Sequence, residues 1–158
     1  MKSKTFLFLI ILSGFQYLYA QVNDTISNWD GITAAWVTWP GSIEIINNPH
    51  PGDLNPSAHC AKVTTTTDLY DLMLLDLPYT VSFDEFPKYH LLCYPPAEGG
   101  DVVLKFENSN VSSWQEIRVS ATGGQWNLLE FDFTGLSYNN FTRMVIFFDF
   151  LGTTAGKE

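Results

Sequence analysis

The chain has 158 residues, with 17 acidic against 8 basic side chains and a formal net charge of −9. That is one domain's length, enough to bury a full core without metals or a dense disulfide framework. A surface this acidic repels a phosphate backbone and argues against nucleic acid as a partner.

Lys2 and Lys4 open the chain, and an unbroken apolar run follows from Phe6 to Leu12 before Ser13, Gly14 and a mixed stretch ending at Ala20. This is the layout of a secretory signal peptide over residues 1–20, with cleavage expected between Ala20 and Gln21. The run is shorter than the about 20 apolar residues that cross a bilayer, so no membrane insertion is expected. The remaining residues 21–158 then form a single exported domain, secreted, periplasmic or held at the cell surface. In an oxidising compartment Cys60 and Cys93 have two readings. A disulfide between them would close a loop of about 33 residues and contribute roughly 3–4 kcal/mol. The alternative is a pair of buried thiols packed as small apolar groups.

Short apolar runs separated by turn chemistry fill the rest. Trp36 and Trp39 lie in an irregular N-terminal stretch. Residues 42–46 (SIEII) lead into Asn47-Asn48-Pro49-His50-Pro51-Gly52, a loop by composition. Residues 60–66, 70–77 and 89–94 are strand-like, the last stopped by Pro95-Pro96, which cannot donate to a ladder. Residues 102–106 and 114–120 follow; Gly123-Gly124 then predicts a hairpin into 126–133. The last run covers 143–150. In 126–133, Leu129, Phe131 and Phe133 oppose Glu130 and Asp132; in 114–120, Ile117 and Val119 oppose Glu116 and Arg118. Period two with one wet face belongs to antiparallel sheets over a common core. With no stripe at helical spacing, eight or nine short strands predict an all-β, antiparallel β-sandwich or jelly roll.

Local catalytic motifs are missing from this pattern. Glu130 and Asp132 begin the E-x-D-x-x-E arrangement of some jelly-roll glycoside hydrolases, but Gly135 stands where the final acid is needed, so a solvated strand face is the simpler reading. His50, His59 and His90 have no zinc-site spacing, no serine sits in a nucleophile elbow, and neither Gly99-Gly100 nor Gly123-Gly124 opens a helix. The chain is therefore read as no enzyme, with a glycoside hydrolase kept as a distant alternative. Five tryptophans remain. A flat ring stacks on the apolar face of a pyranose while polar neighbours take its hydroxyls, although any one tryptophan can equally fill the core. Trp126 starts an apolar-faced strand and reads as structural, whereas Trp114 shares the alternation of Glu116 and Arg118 and should face water. Glycosylation sequons occur at Asn23, Asn110 and Asn140.

A family resemblance is carried by Ile43-Glu44-Ile45-Ile46-Asn47-Asn48-Pro49, Pro51-Gly52 and Asn55-Pro56-Ser57-Ala58-His59-Cys60-Ala61-Lys62-Val63. It continues in Val103-Leu104-Lys105-Phe106-Glu107-Asn108, Gln125-Trp126, Leu129-Glu130-Phe131-Asp132-Phe133-Thr134-Gly135 and Arg143-Met144-Val145-Ile146-Phe147-Phe148-Asp149-Phe150. From about residue 29 to 152 the chain resembles secreted bacterial carbohydrate-binding jelly-roll modules of the galactose-binding-like type. The resemblance implies a non-catalytic module that binds a polysaccharide or other glycan, alone or beside a larger secreted protein or enzyme. Trp114, Trp36 or Tyr94 would stack on sugar, and Arg118, Glu116 or Lys105 would hold hydroxyls. Such modules often carry a structural Ca²⁺ near the chain ends. The sequence departs there: the first-strand acidic motif is unclear between Asp24 and Asp30, and Gly156-Lys157-Glu158 falls where a last strand is expected, as in a truncated domain. The alternative is a structural or protein-interaction sandwich of a larger extracellular assembly.

Overall fold

The computed structural model describes residues 25–136 and 139–148. The signal peptide read over residues 1–20, the sequon at Asn23 and the chain end after 148 lie outside them. Nine strands occur: β1 (Val37–Trp39), β2 (Ser42–Asn47), β3 (His59–Thr64), β4 (Leu72–Ser82), β5 (Lys88–Cys93), β6 (Gly100–Glu107), β7 (Trp114–Ala121), β8 (Asn127–Asp132) and β9 (Asn139–Phe148). No helix is present among the described residues. All ladders are antiparallel. One sheet has the order β1-β4-β9-β6-β7, and two further ribbons pair β2 with β3 and β5 with β8.

Side-chain alternation decides how these layers meet. The five-stranded sheet turns Met73, Val102, Leu104, Phe106, Met144 and Ile146 inward. Leu129 and Phe131 of β8, with Tyr89 and Leu91 of β5, pack against them, and Ile43 and Val63 add the β2/β3 ribbon. Both ribbons thus cover the same face of the sheet, a sandwich-like arrangement. Its centre is aromatic: Phe83 stacks on Phe133 with centroids 4.4 Å apart and meets Phe106 edge-on at 5.5 Å. Phe106, Phe133 and Phe141 are completely buried, each burial being worth roughly 1.5–3 kcal/mol.

The expected strands are present, but several expectations need correction. The Gly123-Gly124 turn is no hairpin, because β8 pairs with β5 and not with β7. The chain instead passes from the five-stranded sheet to the opposite layer, and glycines serve that crossing. A Cβ on Gly123 would collide with the carbonyl oxygens of Pro96 and Ala97. Gly124, at φ +70, donates its N–H to the Pro95 carbonyl at 3.1 Å, a left-handed conformation that glycine adopts without steric cost. The run read as 70–77 extends to Ser82 through Pro78; the β4–β9 register shifts between Asp76 and Val81, where a residue without an N–H is tolerated. Trp39, placed in irregular chain by its sequence, ends a short edge strand.

The disulfide is not formed. Cys60 lies on β3 opposite Ile46 and Cys93 on β5 opposite Asn127, strands of different ribbons, and both are free thiols. Burial raises both, pushing Cys93 up to about 11, so they behave as the small apolar groups of the second reading.

Candidate functional site

Because β6 and β7 alternate, one set of their side chains lines the core and the other lines the outer face of the five-stranded sheet. Phe106 and Leu104 belong to the inner set. Asp101, Val103, Lys105 and Glu107 belong to the outer one, opposite Ser120, Arg118, Glu116 and Trp114 in register. Four of the six proposed ligand residues are therefore neighbours: Lys105, Trp114, Glu116 and Arg118. As expected, Trp114 faces water and is 53% exposed. The Lys105 Nζ stands 5.4 Å from its ring centroid, within the range of an attractive cation–π contact.

Beneath this ring runs a chain of charges. Lys105 Nζ meets Glu107 Oε2 at 2.6 Å, Arg143 Nη1 meets Glu107 Oε1 at 3.4 Å, and Arg143 Nε meets Asp76 Oδ1 at 2.7 Å. Glu107 is buried, and such a carboxylate is tolerated only where cations compensate it. Asp76 and Glu107 in turn hold the Arg143 guanidinium more firmly charged than usual. Farther along β6 and β7, Asp101 accepts from Ser120 Oγ at 2.6 Å and pairs with Arg118 Nη1 at 3.7 Å. The face offers a flat apolar ring beside fixed donors and acceptors, the combination that grips a polyhydroxylated ring.

The other two proposed residues lie elsewhere. Trp36 is half-buried against the core, and its indole N–H donates to Ser27 Oγ at 3.0 Å. Tyr94 sits at the loop end, its hydroxyl donating to the Gly124 carbonyl at 2.7 Å and its ring stacked 4.1 Å from His50. Trp126 completes that cluster edge-on to Tyr94 and donates its N–H to the His50 carbonyl at 2.6 Å, the structural role its sequence position suggested. Sequence reasoning did not single out Glu107, Arg143, Asp76 or Asp101. The alternation of Asp101, Lys105 and Glu107 in one strand was the available signal for three charges on one face; Arg143 and Asp76 join it only through long-range pairing.

Glu130 and Asp132 lie on the exposed outer face of β8, as the simpler reading held. Lys88 Nζ bridges them at 2.9 and 3.1 Å, and His90 Nε2 contacts Glu130 Oε2 at 3.1 Å. Lys88 and His90 hold the Glu130 carboxyl below its ordinary range. Hydrogen bonds from Thr134, side chain first and then backbone, bring Asp132 down to about 2, with Lys88 assisting. A glycosidase's general acid needs a raised carboxyl, and neither of these has one.

The chain ends, where the family resemblance implies a Ca²⁺, lie largely outside the described residues. Among the described residues no three acidic, histidine or cysteine side chains gather where a metal ion could be held. Both oxygens of Asp30 are taken up: Oδ2 by the Ala58 N–H at 2.9 Å, Oδ1 by the His59 N–H at 2.9 Å and the His59 ring at 2.8 Å. Comparison with protein-family models and with curated proteins gave no match to this chain, so the reading of the site rests on its geometry.

Proposed function

We propose that the chain is an exported, non-catalytic carbohydrate-binding module of jelly-roll, galactose-binding-like type. Its site is the outer face of the five-stranded sheet around Trp114. The observation that carries this reading is the solvent-facing Trp114 ring, backed by Lys105 and bordered by Glu116, Arg118 and Asp101. A pyranose stacked on the ring buries its CH groups, while charged side chains already held in place take its hydroxyls with little further ordering. The acidic chain suits neutral or basic glycans better than anionic ones.

Affinity electrophoresis and calorimetry against a panel of soluble polysaccharides test this. Retardation or heat with at least one glycan, reduced in Trp114→Ala, is the expected outcome; a silent panel would sink the proposal.

A second reading has its own observation. Leu92 and Leu128 are cross-strand partners on the outer face of the β5/β8 ribbon, and both are exposed. An apolar pair in water is a point where a larger secreted protein or enzyme could dock. A partner lost by Leu128→Lys and retained by Trp114→Ala would assign the domain to interaction.

A further inference from the structure

The charges around Trp114 do not quite cancel. Lys105 is held by Glu107 at 2.6 Å, Arg143 by Glu107 at 3.4 Å and by Asp76 at 2.7 Å, and Arg118 by Asp101 at 3.7 Å. Lys105, Arg143 and Arg118 thus stand against Glu107, Asp76 and Asp101, and Glu116 is left over. Lys105 lies opposite Glu116 in register, but its ammonium turns along β6 to Glu107. The Glu116 carboxylate is exposed and has no hydrogen bond or ion pair among the described residues.

Position makes this charge available to a ligand. Glu116 follows Trp114 by two residues on the same face of β7, which sets their backbones about 7 Å apart. Farther in, Val103, Val145 and Phe147 are buried, so a ligand meets this face at the β7 edge, where the ring and the carboxylate stand side by side.

We propose that the ligand is a glycan with free amines, an amino-sugar polymer whose ring stacks on Trp114 and whose ammonium is taken by Glu116. The inference rests on the reading of Trp114 as a sugar platform and adds the ligand's charge and the residue that reads it. An ammonium at the rim of the stacked sugar is attracted by the indole face and forms a charge-assisted hydrogen bond to the carboxylate, stronger than a neutral one. A hydroxyl at the same carbon carries no charge for either to attract. Lys105 and Arg118 oppose the ammonium little, because Glu107 and Asp101 already compensate them. At longer range the net charge of −9 draws cations in.

The test is titration calorimetry with three oligosaccharides of equal length and one backbone, differing in a single substituent. They are cello-oligosaccharide, with a hydroxyl; oligoglucosamine, in mildly acidic buffer that keeps its amines protonated; and N-acetylated oligoglucosamine. Oligoglucosamine should bind the wild type roughly fivefold tighter than cello-oligosaccharide at low salt, with the margin narrowing as salt rises. Glu116→Gln, whose amide still meets hydroxyls, should remove most of that margin. Glu130→Gln, which deletes an equal charge from the outer face of the opposite layer, should keep it. Both positions are exposed, circular dichroism checks the fold, and the wild-type comparison needs no variant. Equal affinity for all three, or tighter binding of the hydroxyl or acetylated form, overturns this inference and spares the broader reading when Trp114→Ala still abolishes binding. A preference for amines that survives Glu116→Gln overturns it too, as does silence from all three beside a polysaccharide that binds. Silence from every oligosaccharide and polysaccharide sinks both.

Discussion

Lys105 occupies a position between two unlike partners: its Nζ is 2.6 Å from Glu107 Oε2 and 5.4 Å from the centre of the Trp114 ring. One contact is buried and ionic, the other exposed and aromatic. The buried ion-pair chain and the proposed sugar platform therefore meet in a single ammonium group.

Substitutions at the two residues should separate these roles. Trp114→Ala removes an exposed ring and should change stability by no more than about 1 kcal/mol, while lowering glycan affinity roughly tenfold, or about 1.4 kcal/mol. Lys105→Met leaves the buried Glu107 with Arg143 as its remaining cation and should cost about 1–3 kcal/mol. Urea denaturation beside affinity electrophoresis checks both; equal stability losses would contradict the division.

The two thiols give a simple test of compartment chemistry. With no bridge to reduce, dithiothreitol should leave the melting temperature unchanged, whereas loss of a bridge would remove roughly 3–4 kcal/mol. Burial holds Cys93 at about 11, so at pH 8 iodoacetamide should label it far more slowly than an unstructured cysteine peptide. Mass spectrometry of the labelled chain reads the difference.

Gly123→Ala tests the layer crossing. The added methyl meets the backbone carbonyls of Pro96 and Ala97, which have no rotamer by which to retreat. A loss of about 1–3 kcal/mol is expected, with β7 and β8 moving relative to the loop at 94–99. Thermal unfolding of Gly123→Ala within about 1 °C of wild type would show that the crossing tolerates a side chain.

Acid titration should report on β8. Asp132 stays ionised in the folded chain down to about 2, whereas its ordinary value is 3.8. Its contribution to stability is complete above the ordinary value and is lost as pH falls from there toward 2. Glu130, lowered from 4.5, acts in the same sense. Lys88 acts oppositely: its raised value gives a contribution complete below 10.5 and lost only as pH climbs past the folded value. Thr134→Val removes the largest cause for Asp132 and keeps the backbone donor. Carbon-detected NMR should show the carboxyl midpoint rising from about 2 toward 3.8.

The alternation of residues 114–120 and 126–133 was legible because period two depends on each strand alone. The faces of Ile117, Val119, Leu129 and Phe131 followed directly. What those strands pair with was not legible: Gly123-Gly124 has hairpin chemistry, yet β8 finds β5, a choice made by the shared core around Phe131 and Tyr89. The site divides the same way. Lys105, Trp114, Glu116 and Arg118 come from adjacent paired strands and were picked by residue type and alternation. The ion pair of Arg143 with Asp76 spans 67 positions, too far for any periodic signal.

The position of β9 has a consequence for how the molecule matures. It is the latest of the described strands in sequence yet lies between β4 and β6, so neither of those neighbours gains its inner partner until residues past 139 are available. A ribosome-bound chain holds β6/β7 as a lone two-stranded hairpin with both edges open, a form too small for independent stability. Closure of the sheet is thus a late, nearly whole-chain event with slow, non-local pairing. A polypeptide that cannot complete its central strand early keeps the sheet open until nearly all of it has been made.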